Sequence, residues 1–175
     1  MCNGYKIDET LQNKLQFAAS MEFGYLTTHI KNCGTGMKIS LRVFIPSIVF
    51  DGKFDDLVQM VTEKKYCIQP VFKSSEATDF ATCIFDIFPS NSSAGTELDQ
   101  MAEMQALGIL ILKTERKIRQ KFADNNPTIV LNFVKRNYAV AMYSSLLTYE
   151  EGVNIIGAIK WGLQIGVVSG ILESD

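Results

Sequence analysis

Apolar residues recur along this chain with two different periods, and the change of period divides it. From residue 38 to 45 they alternate strictly. Ile39, Leu41, Val43 and Ile45 fall on one side, and Lys38, Ser40, Arg42 and Phe44 on the other. A period of two predicts a strand with one face on a core, ended by Pro46. Phe23–Thr28, Tyr66–Phe72 and Thr82–Phe88 are the other predicted strands, the last two joined by a polar loop, Lys73–Asp79. Helical spacing appears at Leu11, Leu15 and Ala18, predicting a short helix over 8–21. It appears again at Phe54, Leu57, Val58 and Val61, after an Asp51-Gly52 turn.

Beyond the break at Pro89-Ser90-Asn91-Ser92-Ser93, every periodic stretch is helical. Thr96-Glu97-Leu98-Asp99 predicts a capped start to a long helix, whose apolar stripe is Met104, Leu107, Ile111, Ile118 and Phe122. Asp124-Asn125-Asn126-Pro127 is a turn. A second helix carries Val130, Phe133, Val134, Tyr138 and Ala141. Thr148-Tyr149-Glu150-Glu151 is a capping box before a third, with Ile155, Ile159 and Leu163. Glycines 152, 157, 162 and 166 punctuate that helix, at up to ~1 kcal/mol each in a helix interior, and imply close packing or a helix end. The layout is α+β: an antiparallel sheet with helices on one face, in a single domain over 1–175 that is strand-rich at 22–90 and helical at 96–170.

Composition narrows the classes. The chain has 175 residues, 47% of them hydrophobic, enough for a sizeable core. Seventeen basic against nineteen acidic residues give a net charge of −2, which argues against a nucleic-acid partner. Four cysteines without a C-x-x-C pair read as reduced thiols, and one histidine excludes a His-rich metal site. The N-terminus shows no apolar signal core, and no run approaches the roughly 20 apolar residues of a membrane span. A cytoplasmic protein without membrane contact is expected.

The densest candidate chemistry is Phe23-Gly24-Tyr25-Leu26-Thr27-Thr28-His29-Ile30-Lys31-Asn32-Cys33-Gly34-Thr35-Gly36-Met37-Lys38-Ile39-Ser40. It resembles the active-site segment of guanidino kinases (the ATP:guanido phosphotransferases), approximately G-Y-L-T-S-C-P-T-N-x-G-T-G-x-R-A-S. His29 stands at that family's reactive cysteine, Ile30 at its proline and Lys38 at a phosphate-binding arginine. Cys33 stands at an aliphatic position and reads as a buried thiol. Arg42 stands where the family often has a histidine near the adenine. Ile68-Gln69-Pro70-Val71-Phe72-Lys73 is similar to V-R-G-L-Y-G-E, with Gln69 for the arginine, Pro70 for a glycine and the G-E pair gone. Ser75-Glu76-Ala77 and Phe85-Asp86-Ile87 are similar to further family segments, with Glu76 read as solvent-facing. Arg116-Lys117-Ile118-Arg119, Leu146–Gly152 and Ile159–Gly166 are similar to segments of bacterial protein-arginine kinases.

The resemblance implies the C-terminal domain fold of guanidino kinases with an altered site. On it, the chain is expected to begin inside the catalytic domain, after the S-x-R-x-R arginines, and to stop before the R-D-x-x-R-A segment. An imidazole offers no negative charge to a guanidinium, lysine lacks the bidentate fork of arginine, and glutamine carries no charge. No confident catalytic residue follows. The weak nucleotide-binding candidates are Lys38, Arg42, Asn32, Gly34, Thr35, Gly36 and Gln69; no metal ligand is expected. The leading expectation is a pseudokinase without cofactor, a regulatory partner of a full-length protein-arginine kinase or of the Clp machinery, acting as a homo- or hetero-dimer. The rivals are a C-terminal subunit of a split kinase, completed by a partner chain and using Mg·ATP, and a phosphoarginine- or nucleotide-sensing module. The glycine-marked helix 150–166, with Trp161, Ile155, Ile159 and Phe133, is the expected partner surface, unless those residues pack the core.

Overall fold

The computed structural model describes residues 2–72, 80–91 and 96–169, with side chains from residue 4 onward. The predicted polar loop with Lys73 and Glu76, and the serines at 92 and 93, lie outside that range.

The main sheet has three strands, β3 (Leu41–Phe44), β4 (Tyr66–Pro70) and β5 (Ile84–Pro89), in the order β3-β5-β4 and antiparallel throughout. β3 is shorter than its alternation predicts. Its register pairs Leu41 with Ile87, so continuing it would set Ile39 opposite Pro89, which has no N–H to give. The Ser90 N–H, next along, already donates to the Lys65 carbonyl at 3.0 Å. β4 runs at the sheet edge, where Pro70 is tolerated. β5 begins at Ile84 rather than Thr82, because Phe80–Cys83 forms a 3-10 turn whose Phe80 N–H donates to Asn154 Oδ1 at 2.5 Å.

One sheet face meets helices. Val43, Phe85, Ile87 and Tyr66 pack with Leu57 and Val61 of α3 (Phe54–Glu63) and with Met104, Leu107, Ile111 and Ile118 of α4 (Glu97–Asn125). The predicted stripe of α4 is therefore its buried face, and the Thr96–Asp99 capping box is present. A second core gathers Phe80, Phe122, Val130, Ala158 and Trp161, with Phe44, Phe50 and Phe133 against it. It joins α5 (Pro127–Tyr143) and α6 (Tyr149–Ile165) to the short α2 (Pro46–Phe50). Phe44, on the outward side of β3 by alternation, turns into this aromatic cluster, 6.4 Å from the Phe80 ring.

Trp161 is fully buried and Ile155 nearly so, while Phe133 stacks on Phe50 at 5.4 Å. Trp161, Ile155 and Phe133 pack against the chain's own core, and Ile159 is half-buried. The glycines of α6 account for part of that packing. A Cβ on Gly157 would lie 2.8 Å from Phe80, and one on Gly162 2.8 Å from Val134. Gly166 ends the helix in the left-handed region.

The N-terminal part departs most from its pattern. α1 covers Cys2–Gln12, not 8–21, and Leu11 and Leu15 are exposed. A hairpin takes the backbone that the longer helix would need. Ala19–Ser20 (β1) pairs with Gly24–Tyr25 (β2), and the Ala18 carbonyl accepts from Leu26 N–H at 2.8 Å. The predicted strand Phe23–Thr28 shrinks to two residues, since Gly24 has a positive φ of 67° and Thr27 turns into the following loop. Among the described residues no helix is long and apolar enough to cross a membrane.

Candidate functional site

The loop after β2 is closed by its own backbone. Tyr25 N–H donates to Gly34 O at 2.8 Å, and Gly34 N–H returns to Tyr25 O at 3.1 Å. Inside this clasp the His29 carbonyl accepts from the Thr27 hydroxyl at 2.7 Å and from Asn32 N–H at 2.9 Å. The Cys33 sulfur accepts from Thr27 N–H at 3.4 Å. Cys33 is half-buried rather than fully buried.

The glycines are needed for this geometry without any ligand. Gly24 (φ 67°) lies where an added Cβ would strike the Gly34 carbonyl, and Gly36 (φ 72°) where it would come 2.7 Å from the Tyr25 ring.

Two open clefts border the loop. One, of about 1160 Å³, is lined by Cys33, Gly34 and Thr35 with Phe17, Glu22 and Lys31 among others. The other, of about 500 Å³, is lined by Thr35 and Gly36 with Tyr5, Asp8, Phe17 and Glu97 among others. His29 and Lys38 are exposed and line neither cleft; Asn32 is half-buried and lines neither.

Arg42 and Gln69 are brought together elsewhere, on the sheet face turned from the first core. Both are directly opposite Asp86 in the ladder, Arg42 on β3 and Gln69 on β4, so the three form one row across the strands. Arg42 Nε donates to Asp86 Oδ1 and its Nη2 to Oδ2, both at 2.8 Å. This is a fork-to-fork pair in which both carboxylate oxygens are engaged. The hydrogen bond and charge of Asp86 raise the Arg42 pKa, and the hydrogen bond from Arg42 lowers that of Asp86. Tyr149, at the first turn of α6, lies close enough to Arg42 to act on its charge, and its ring is 5.9 Å from that of Phe72.

Holding a polyphosphate takes several uncompensated cations aimed at one point. On this row the Arg42 charge is matched by Asp86, and Gln69 carries none. Lys38 sits apart from both clefts. The candidates thus fall into three places: the clasped glycine loop, the exposed His29 and Lys38, and the sheet row.

Sequence reasoning missed two groups. Asp86 was visible only as part of a similar segment; its pairing with Arg42 depends on strand register. Glu115 is buried, and its carboxylate accepts from Ser47 N–H and Ile48 N–H, both at 3.0 Å, at the start of α2. The Ser47 hydroxyl also bonds Glu115 and accepts from Trp161 Nε1 at 2.9 Å. The available signal was an acid on an apolar stripe, four residues after Ile111 and three before Ile118.

The sequence profile of the ATP:guanido phosphotransferase C-terminal catalytic domain matches residues 3–118. The protein-arginine kinase of Symbiobacterium thermophilum is 25% identical over 166 residues, covering 95% of this chain and 46% of that protein. Those of Halothermothrix orenii and Bacillus cereus are 20% and 21% identical over 166 residues, each match also covering 95% of this chain. The chain spans about half the length of the curated relatives it matches.

Proposed function

This chain belongs to the ATP:guanido phosphotransferase family through its C-terminal catalytic domain, and from that membership we propose that it is a pseudokinase which acts by binding a protein partner. The observation that carries the reading is the sheet row. Its arginine is already closed on Asp86, and the opposite strand offers the neutral Gln69. Transfer of a phosphoryl group rests on positioning and charge neutralisation, and neither is prepared on this row. His29, in an exposed loop, supplies no thiolate. No cofactor belongs to this reading.

A binding role is supported by the apolar surface of the helical half. Ile109 and Leu112 of α4, Tyr138, Met142 and Tyr143 of α5, and Ile156 of α6 are exposed. Exposed apolar residues of this number fit a protein contact, a homo- or hetero-dimer, in a cytoplasmic setting. The proposed partners are a full-length protein-arginine kinase or the Clp machinery.

The second reading is a subunit of a split phosphotransferase that uses Mg·ATP with a partner chain. It is favoured by the loop Asn32-x-Gly34-Thr35-Gly36, which keeps a defined turn. One experiment separates the two. The purified chain is incubated with Mg·ATP and an arginine-rich protein, with and without a full-length protein-arginine kinase, and phosphoarginine is measured by mass spectrometry. The expected result is no product above a boiled control for the chain alone, with the chain co-purifying with the kinase. Turnover that is abolished by His29→Ala overturns the pseudokinase reading.

A further inference from the structure

We propose that Asp86 is an internal anion that keeps the Arg42 guanidinium from phosphate oxyanions, so that the sheet face carries a latent anion site closed by its own neighbouring strand. The inference rests on the pseudokinase reading above and goes beyond it, because it assigns the closure to one carboxylate.

The geometry is that of a ligand contact made within the chain. A guanidinium recognises carboxylate and phosphate by the same planar fork of parallel N–H donors. In this chain the guanidinium's Nε–Nη2 edge, two of its five N–H donors, is spent on the two Asp86 oxygens at 2.8 Å, and its charge is matched there. The pair is held by the backbone as well as by its side chains, since Arg42 and Asp86 are direct partners in the β3–β5 ladder. β5 is the central strand, flanked by β3 and β4, so the carboxylate is fixed from both sides. A phosphate approaching Arg42 therefore meets a fixed negative charge at bonding distance from the same guanidinium.

The rest of the surroundings suits an anion once that charge is gone. Arg42 is exposed, with 64% of its side chain accessible. Gln69, the other ladder neighbour of Asp86, offers an amide N–H₂ that donates to oxyanions. With Asp86 neutralised the row presents one full positive charge with polar donors near it. With Asp86 intact its formal charge is zero.

The test is a titration with inorganic pyrophosphate at pH 7 and constant ionic strength, followed by the Arg42 Nε–H resonance and by calorimetry. The variants are Asp86→Asn and Asp86→Ser, each also combined with Arg42→Ala and checked for folding by circular dichroism. The wild type is expected to bind weakly, and either single variant at least tenfold more tightly, with the gain lost in the double variant. Equal affinity of wild type and both folded single variants overturns the proposal, as does a gain that survives Arg42→Ala. The pseudokinase reading is tested separately, by phosphoarginine formation in the wild type, so the failure of either is read from its own experiment.

Discussion

At the scale of single residues, the two acids that the sequence hid do opposite work. Asp86 is a half-buried acid closing an exposed arginine, whereas Glu115 is a buried acid holding a fold together. Burial pushes the Glu115 carboxyl above its ordinary range, against the pull of its hydrogen bonds to Ser47 and Ile48 and of the Arg119 charge. The native state therefore holds that proton more tightly than the unfolded chain does. Its contribution to stability is fully present below the unfolded carboxyl's pKa and is lost as pH rises through the raised folded value. Glu115→Gln is isosteric but offers one acceptor where two N–H groups need one each. We expect it to cost about 1–3 kcal/mol in urea unfolding at pH 7, and to flatten the decline of stability with rising pH. Unchanged unfolding midpoints across that range would show that the carboxylate is dispensable.

At the scale of elements, α6 gives the clearest contrast. Its four glycines look alike in sequence, yet their surroundings differ. Gly162 sits where a Cβ would come within 2.8 Å of Val134 and 3.1 Å of Val168, between well-filled neighbours. Gly152, in the first turn, has nothing within 4 Å. Gly162→Ala is expected to destabilise by about 1–3 kcal/mol through overpacking. Gly152→Ala should stabilise, by up to ~1 kcal/mol, through helix propensity alone. Thermal unfolding followed by circular dichroism separates them by sign, and a shift of the same sign in both would refute the packing assignment. The same element shows how a surface can be misjudged. Trp161 and Ile155 invite a partner on the sequence, but α5, α2 and the turn at Phe80 bury them first. The exposed apolar residues of the helical half lie on its outer side, at positions such as Met142, Tyr143 and Ile156.

At the scale of the whole molecule, the two cores share α4 and are also bridged by a polar chain. Trp161 belongs to the aromatic core, Ser47 to α2 and Glu115 to the helix that covers the sheet. Trp161 is the sole tryptophan and is fully buried, so its emission should be blue-shifted in the native state. Because the network ties that core to the sheet, fluorescence and far-ultraviolet circular dichroism are expected to report one coincident urea transition. Two separated transitions would mean that the cores unfold independently. Much of this architecture was written in the sequence. The stripe of α4, the capping boxes at Thr96 and Thr148, the α+β order and the family segment each rest on local spacing, and local spacing is fixed by covalent geometry and the helical or pleated repeat. The N-terminal helix was misplaced, because an amphipathic pattern states a preference while the hairpin at Ala19–Tyr25 claims the backbone hydrogen bonds. The candidate site was legible as a set of residue types and not as an arrangement. Arg42 reads as a free cation until strand register sets Asp86 against it, and no local pattern pairs Glu115 with the N–H groups that α2 delivers. Those pairings join residues 44 and more than 60 positions apart. They come from how strands and helices meet in space, which no local period along the chain encodes.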